Sequence, residues 1–219
     1  MSQPATSRQR HSPLNRELIL DGAIELIEGE GADALSMRRL GGALGVEAMA
    51  IYHHFAGRED LLAGLAERLL APLGMLELGP EWREACRRFA HGLRRIAITR
   101  PATFRLVALQ PLEGRSLIPV ERLLEVLLEG GFDPGSALAV YRATASYARG
   151  YALAEVTGFT VDAAGPDGYE RLRALSLEEF PILAGRSEEL IELDADRAFA
   201  CGLHGLLRGL RAPSGEPGR

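Results

Sequence analysis

The stretch LGGALGVEAMAIYHHF, residues 40–55, has the pattern of two short helices joined by a tight turn. Gly45 stands at the turn, where the chain needs a residue that tolerates a positive φ. Apolar residues are spaced to bury the inner corner between the two helices: Leu40, Leu44, Val46 and Ile51. The pattern therefore predicts a helix–turn–helix, although a purely structural helical corner has the same pattern.

The outer side of this corner carries a second set of residues, at the start and on the outward face of the third helix. A helix–turn–helix places that part of its second helix in the major groove of DNA. We therefore expect the following residues to face DNA: Glu47, Ala48, Met49, Tyr52, His53 and His54. A metal site shared by the two histidines is not expected, because adjacent residues on a helix point about 100° apart.

Helical periodicity continues on both sides of the corner. Four helices are predicted for the N-terminal region: Asn15–Gly29, Met37–Leu44, Glu47–His54 and Arg58–Leu73. Ser36 is the expected N-cap of the second helix. Gly41 and Gly42, inside that helix, should each cost about 1 kcal/mol relative to alanine. Acidic residues of the first helix share one face by their spacing, and we expect that face to be solvated: Glu17, Asp21, Glu25 and Glu28.

The rest of the chain is also helical in pattern, and strand signals are nearly absent. Further helices are predicted at Glu81–Thr99, Pro101–Leu109, Leu117–Leu128, Gly135–Val156, one or two short ones within 169–193, and Asp194–Leu210. A joint between two domains is marked by Pro72, Gly74, Gly79 and Pro80. We therefore predict an all-α protein with these parts: a flexible N-terminal arm (1–14), a helix–turn–helix domain (15–73), a larger helical domain (74–211) and a disordered tail (212–219).

Composition limits the possible classes of protein. The chain has 219 residues and a formal net charge of −5, and its first 70 residues carry seven arginines against ten acids. This balance argues mildly against a nucleic-acid binder, but arginines cluster near the arm and the helix–turn–helix: Arg8, Arg10, Arg38, Arg39 and Arg58. No apolar run is long enough to span a membrane, and no signal peptide is expected. We therefore expect a cytoplasmic protein in which Cys86 and Cys201 are reduced, buried thiols.

The N-terminal region resembles a known family. Residues 15 to about 70 are similar to the N-terminal domain of the tetracycline-repressor (TetR) family of bacterial regulators, with LSMRRLG, LGV, IYHHF and REDLL following in order. Gly41 departs from the alanine that is usual there. The C-terminal half, with LLEVLLEGGFDPGSALAVYRATASYARGYALAE and RAFACGLHGLLRGL, resembles the tetracycline-repressor subclass. In that subclass the long helix after GGF and the last helix form the four-helix bundle of a homodimer, although a helix buried within one chain is the alternative.

The resemblance also implies roles for individual residues at the DNA interface. It implies that Tyr52 and His54 contact the DNA backbone and that Phe55 fills the core of the domain. Arg38 matches a position that contacts a base edge, and bidentate arginine–guanine pairing is the commonest such contact. Arg58 and Ser36 match phosphate contacts, which fix register rather than recognise sequence. Arg39 is expected to be a solvated charge.

A small-molecule site is expected between the C-terminal helices. Aromatic and aliphatic residues are candidates to line it, although ordinary core packing explains each of them equally well: Trp82, Phe89, Leu93, Phe104, Val107, Tyr147 and Tyr151. The positions that match the drug–magnesium ligands of the subclass are Gly74, Phe89 and Val107. We therefore expect an apolar or aromatic effector, with no metal and no cofactor.

Together, these features predict a ligand-responsive, homodimeric transcriptional repressor that binds double-stranded operator DNA and is not an enzyme. No catalytic set of residues is apparent. An activator or constitutive regulator of the same fold is one alternative. A small-molecule carrier or enzyme with a non-functional helix–turn–helix is another. Arg8, Arg10 and His11 of the arm are placed to reach the adjacent minor groove, and an arm without a role is the simpler interpretation.

Overall fold

The computed structural model describes residues 13–158, 166–191 and 194–210. In these ranges the chain forms no strand and twelve α-helices: α1 (Arg16–Glu30), α2 (Met37–Leu44), α3 (Ala48–Tyr52), α4 (Arg58–Gly74), α5 (Trp82–Thr99), α6 (Pro101–Val107), α7 (Ile118–Glu129), α8 (Pro134–Thr157), α9 (Pro166–Arg173), α10 (Pro181–Gly185), α11 (Ser187–Ile191) and α12 (Ala195–Gly209). Single 3-10 turns precede α2 and α7. The predicted all-α class is confirmed. The tail and nearly all of the predicted arm lie outside the described residues.

The first four helices pack around one apolar core. Its most deeply buried members are Ile19, Ala23, Ile27, Leu40, Ile51, Leu61 and Leu65. Helix α1 begins after Asn15, whose side chain accepts the N–H of Leu18 at 2.8 Å, as an N-cap does. Helix α3 is shorter than predicted at both ends. Glu47 still has extended backbone, and His53 only closes the last turn.

Helix α4 connects the two halves of the molecule. It packs against α1 on one side and against α5, α6 and α7 on the other. Gly92 of α5 makes room for its end, because a Cβ there would lie 2.8 Å from side-chain atoms of both Leu73 and Leu76. The boundary predicted near residue 73 therefore falls at the end of a helix that contacts both domains.

Helices α5 and α8 form the centre of the larger domain, and α7 and α12 pack beside them. The buried face of α8 consists largely of small residues, which allow α5 to approach closely: Ala137, Ala145, Ala148 and Ala152. Helix α12 buries Phe199, Leu203 and Leu207 against this pair. None of the described helices is both long and apolar enough to cross a membrane.

The two cysteines differ in environment. Cys86 is buried in the core, and burial raises the pKa of its thiol to about 11, so it stays protonated at neutral pH. Cys201 is exposed, and the expectation that both thiols are buried is wrong for this residue. The reason is helical geometry: Cys201 lies two residues from Phe199 and from Leu203, which puts it on the opposite side of α12 from the residues that pack.

Candidate DNA-binding interface and effector site

The turn between α2 and α3 depends on two glycines. Gly45 has left-handed backbone (φ 69°, ψ 27°), as the sequence predicts. The N–H of Val46 donates to the carbonyl of Gly41 at 2.9 Å. A Cβ on Gly41 would lie 2.8 Å from the carbonyl oxygen of Val46 and 3.2 Å from the nitrogen of Ala48. The expected conformational cost of glycine therefore applies at Gly42, which has open space around it, whereas Gly41 allows α3 to begin directly against α2.

The predicted DNA-facing residues of the α3 region are all at least partly exposed. Met49 is 62% exposed and Tyr52 is 47% exposed. Glu47 and His53 are exposed, while Ala48 and His54 are half-buried. The inner residue Ile51 is completely buried, as the helix–turn–helix pattern requires. The segment thus presents one set of side chains to solvent and anchors the other.

Two neighbouring arginines in the first turn of α2, Arg38 and Arg39, differ in whether their side chains have a partner in the protein. The hydroxyl oxygen of Ser36 accepts the N–H of Arg39 at 3.2 Å, which confirms the N-cap and leaves the hydroxyl proton as a donor. Arg39 is exposed and pairs with Glu30, so its charge is already balanced. The side chain of Arg38 is exposed and makes no hydrogen bond or ion pair within the described ranges. Its five N–H donors are free for an external partner.

Arg58 and Ser36 lie beside one another. A small cleft of about 220 Å³ is lined by both, together with Leu35, Met37 and Leu61. The guanidinium of Arg58 donates to the carbonyl of Leu35 at 2.7 Å, which fixes the start of α4 against the residue that leads into α2. One of its N–H groups is therefore engaged, and the others remain available to a phosphate.

Residues 53–56, which follow α3, are fixed by Arg16 of α1, a residue that sequence analysis did not identify. The guanidinium of Arg16 donates to the carbonyl of His54 and to Asp60, both at 2.7 Å, and lies 4.0 Å from the centre of the Phe55 ring. The hydrogen bond from Arg16 lowers the pKa of Asp60, which also accepts the N–H of Ala56 at 2.9 Å. The stretch 47–54, which comprises α3 and the residues on either side of it, is called the recognition segment below. Its end is thereby fixed to both α1 and α4.

Phe55 fills the core of the domain, as the resemblance implied. It is 1% exposed. Gly64 of α4 makes this position possible, because a Cβ there would lie 3.0 Å from the Phe55 ring and 3.1 Å from Leu20.

Nothing in the sequence alone connects Arg16 with Asp60, since 44 residues separate them.

The acidic face of α1 is not simply solvated, which corrects the sequence-based expectation. Glu28 accepts the N–H of Thr103 at 2.8 Å, the hydroxyl of Thr103 at 2.6 Å and the N–H of Ala102 at 3.3 Å. Glu25 pairs with Arg100 at 3.0 Å. A carboxylate at the N-terminus of a helix satisfies backbone N–H groups that have no partner within the helix. The N-terminal group of helices is thus hydrogen-bonded directly to the first turn of α6.

The seven predicted effector residues are not gathered around one open cavity. Trp82, Phe89, Leu93, Phe104 and Val107 are buried in the core. Trp82 packs edge-on against Phe132, with ring centres 5.0 Å apart, and Phe89 packs against Tyr141 at 6.1 Å. Tyr147 and Tyr151 are half-buried and donate hydrogen bonds to the backbone of α12, to Phe199 at 2.8 Å and to Ala195 at 3.4 Å. Their contact with an effector stays a prediction.

A charge cluster centred on a buried arginine joins the helices around these tyrosines. The guanidinium of Arg94, which is 6% exposed, binds both oxygens of Glu155 at 2.8 and 2.7 Å and one oxygen of Asp196 at 2.5 Å. These carboxylates raise the pKa of Arg94 above its already high value. Arg94 also lies 5.1 Å from the centre of the Phe199 ring. Removing Glu155 would leave the buried guanidinium without its bidentate partner, so this pair fixes α5 to α8. Asp196 is exposed, and its contact with Arg94 adds a weaker tie to α12.

Two clefts of about 580 Å³ each open elsewhere on the described surface. The first lies where α1, α4 and α5 meet, and the second runs along α5 to Asp196 of α12. Neither is lined by any of the seven predicted effector residues. Within the described ranges, no three histidine, cysteine or acidic side chains are arranged to hold a metal ion.

Comparison with known proteins gives the family. Residues 19–65 match the family model for bacterial regulatory proteins of the tetR family, and residues 77–213 match the tetracyclin repressor-like C-terminal domain. A crystal structure of a possible TetR-family regulator from Streptomyces coelicolor A3(2) is 32% identical, with a TM-score of 0.76 over 90% of this chain and 99% of that one. ActR from S. coelicolor, solved in complex with actinorhodin, is 28% identical, with a TM-score of 0.73 over 95% and 100% of the two chains. The class D tetracycline repressor of Escherichia coli is 28% identical over 90% of this chain and 88% of its own. This chain belongs to the TetR family of transcriptional regulators.

Proposed function

We propose that this regulator is a cytoplasmic, homodimeric repressor that leaves its operator when an apolar or aromatic small molecule binds the C-terminal domain. The observation that carries the proposal is the exposed and unpaired side chain of Arg38 on the α2–α3 pair. This pair is fixed to α1 through Arg16, and α1 is hydrogen-bonded to α6 through Glu28. Regulators of this family bind operator DNA, dimerise and bind small molecules. Family membership also points away from an enzyme.

On DNA, two copies would place their α3 segments in successive major grooves, roughly 34–36 Å apart. Arg38 would pair with a guanine edge, and Ala48 and Met49 would contact thymine methyl groups. Phosphates would be contacted by the hydroxyl, imidazole and guanidinium donors that the structure leaves exposed or half-buried: Ser36, Tyr52, His54 and Arg58. Glu47 and His53 would complete the contact surface.

Dimerisation is supported by the free face of α12. This helix buries one side against α8 and leaves Cys201 and Gly205 exposed on another, with open space around Gly205. Small residues at a spacing of four allow a second helix to approach closely. We therefore place the subunit contact along α8 and α12, in agreement with the bundle that the family resemblance implies.

Release of DNA requires that the effector bind the DNA-incompetent state more tightly than the competent one. The hydrogen bonds of Glu28 to α6 offer a route between the domains, since a shift of α6 has to move α1 or break these bonds. Arg16 then transmits a movement of α1 to the end of the recognition segment.

The chemical class of the effector follows from the residues at the positions that chelate the drug–magnesium complex in the subclass. Phe89 and Val107 are buried and apolar, and the carbonyl of Gly74 accepts a hydrogen bond from Arg122. We therefore expect no micromolar binding of tetracycline with Mg²⁺, measured by the fluorescence of the drug. Micromolar binding that requires Mg²⁺ would contradict this choice of effector.

Repression can be tested with a reporter gene placed behind the upstream region of the gene that encodes this chain. Wild-type protein should lower transcription, Arg38→Ala should restore it, and the matched variant Arg39→Ala should still repress. A rise in transcription with the wild-type protein would identify an activator instead.

The ligand switch can be tested by distance measurement. Spin labels on Ala43→Cys, in a Cys201→Ser background, report the separation of the two helix–turn–helix units in the dimer. A compound selected because it releases operator DNA should change this distance. Release without any change in distance would rule out the proposed mechanism.

A further inference from the structure

The cleft at the junction of α1, α4 and α5 has a composition that differs from both of the sites described above. The buried residues Ile24, Leu69 and Ile96 form its apolar floor, and the exposed side chains of Pro72 and Met75 lie at its edge. Its volume of about 580 Å³ is within the range of small-molecule sites. It touches no residue of the recognition segment and none of the predicted effector residues.

The charges on its walls do not balance. Three guanidinium groups and two carboxylates line the cleft. Arg68 binds both oxygens of Asp21 at 2.7 and 2.9 Å, and Arg100 pairs with Glu25 at 3.0 Å. This leaves Arg95, which is exposed and whose side chain makes no hydrogen bond or ion pair within the described ranges. The cleft therefore combines an apolar floor with one uncompensated cation.

We propose that this cleft is a second small-molecule site, which binds an organic carboxylate with an apolar body. The carboxylate pairs with the guanidinium of Arg95, since a planar fork of N–H groups matches two carboxylate oxygens. The apolar body lies on the floor formed by α1, α4 and α5. Because these three helices belong to both domains, the ligand would be held at the junction between them.

Decanoate is a suitable probe, because it carries one carboxylate and an apolar chain, and 1-decanol is the matched neutral compound. Binding to the full-length protein is measured by calorimetry below the micelle concentration. We expect saturable binding of decanoate, at least tenfold tighter than that of the alcohol. Arg95→Gln should weaken decanoate at least tenfold, and Ala71→Glu, which places a carboxylate on the lining, should also weaken it. The control Arg105→Gln changes an exposed arginine outside the cleft and should leave binding unchanged.

The position of the ligand is measured independently by NMR of methionine methyl groups. Met75 lies on the cleft, whereas Met37 and Met49 lie in the helix–turn–helix. Decanoate should shift the Met75 signal and leave the other two in place. This readout also separates the cleft from the neighbouring one along α5, which Arg95 borders as well but Met75 does not.

Three results would overturn the proposal: no saturable binding of decanoate, equal binding by Arg95→Gln and the wild type, or saturation without movement of the Met75 signal. The measurement needs no operator and no known effector. Failure of the repressor function would therefore leave this test unaffected, and failure of this test would leave the repressor function unaffected.

Discussion

Replacing the adjacent glycines Gly41 and Gly42 by alanine, one at a time, should stabilise the protein at Gly42 only. In an exposed helix, alanine is better than glycine by about 1 kcal/mol. Gly42 is exposed with no atom near its missing Cβ, so Gly42→Ala should gain most of that amount. At Gly41 the new methyl would lie 2.8 Å from a backbone oxygen, which cannot rotate away as a side chain can. Overpacking of this kind typically costs 1–3 kcal/mol.

The two variants should therefore differ by about 2 kcal/mol in the free energy of unfolding. For a chain of this size, 1 kcal/mol corresponds to about 2–4 °C in Tm. Gly42→Ala should raise Tm by about 2–4 °C, and Gly41→Ala should leave it unchanged or lower it, at a fixed protein concentration in calorimetry. Gly41→Ala should also weaken specific DNA binding, because α3 has to move away from α2. Equal increases in Tm for both variants would show that the contact between Gly41 and Val46 imposes no constraint.

Three further substitutions test other contacts. Glu28→Gln removes the negative charge that accepts hydrogen bonds from three donors on α6. It should lower the free energy of unfolding by about 1–2 kcal/mol, because hydrogen bonds to charged groups contribute about twice as much as those to neutral groups. If the variant unfolds in urea like the wild type, this junction contributes little to stability. The hydrogen bond from Arg16 lowers the pKa of Asp60 in the folded state. The stability that this carboxylate contributes is therefore fully present above the unfolded-state pKa of about 3.9 and is lost as the pH falls through the lower folded-state pKa. Asp60→Asn should reduce the dependence of the unfolding midpoint on acid pH, and an unchanged pH profile would exclude this role. Gly205→Arg should convert the dimer to monomer in sedimentation, whereas Gly29→Arg, also in open space, should not; dimers in both would move the interface elsewhere.

Periodicity and turn residues are sufficient to predict the helices and the helix–turn–helix. Gly45 adopts the left-handed conformation expected of it, and Phe55 fills the core as the family resemblance implies. These features are local, because they depend on spacing along a few turns of chain. The predicted end of α3 is two residues too late, because helical backbone dihedrals continue through His53, which only caps the helix.

The contacts that fix α1 to α4 and to α6 are made by residues that lie far apart in the sequence. Glu28 has the spacing of a solvated residue and nevertheless binds Thr103, 75 positions away. Arg16 and Asp60 are a pair of the same kind. A charge on an amphipathic helix gives no sign of which distant donor it will meet, so periodicity assigns it to solvent.

The residues predicted to line an effector site show a different limit of sequence analysis. Phe89 and Leu93 recur at helical spacing because they face a core, and residues that line a pocket have the same spacing. The structure places both in the core, and a cleft opens beside Arg95, two residues along the same helix from Leu93. Only the tertiary arrangement of α1 and α4 creates that cleft.

The first measurement is a gel shift of the purified protein with its own upstream intergenic DNA, at two salt concentrations and with excess nonspecific competitor. We expect a specific complex. Arg38→Ala should weaken it by about 5- to 150-fold, the range for loss of a bidentate base contact, and should reduce discrimination against the competitor. Arg39→Ala, whose arginine already pairs with Glu30, should bind like the wild type. No specific complex, either with that fragment or with DNA selected from a random pool, would contradict sequence-specific DNA binding by this chain.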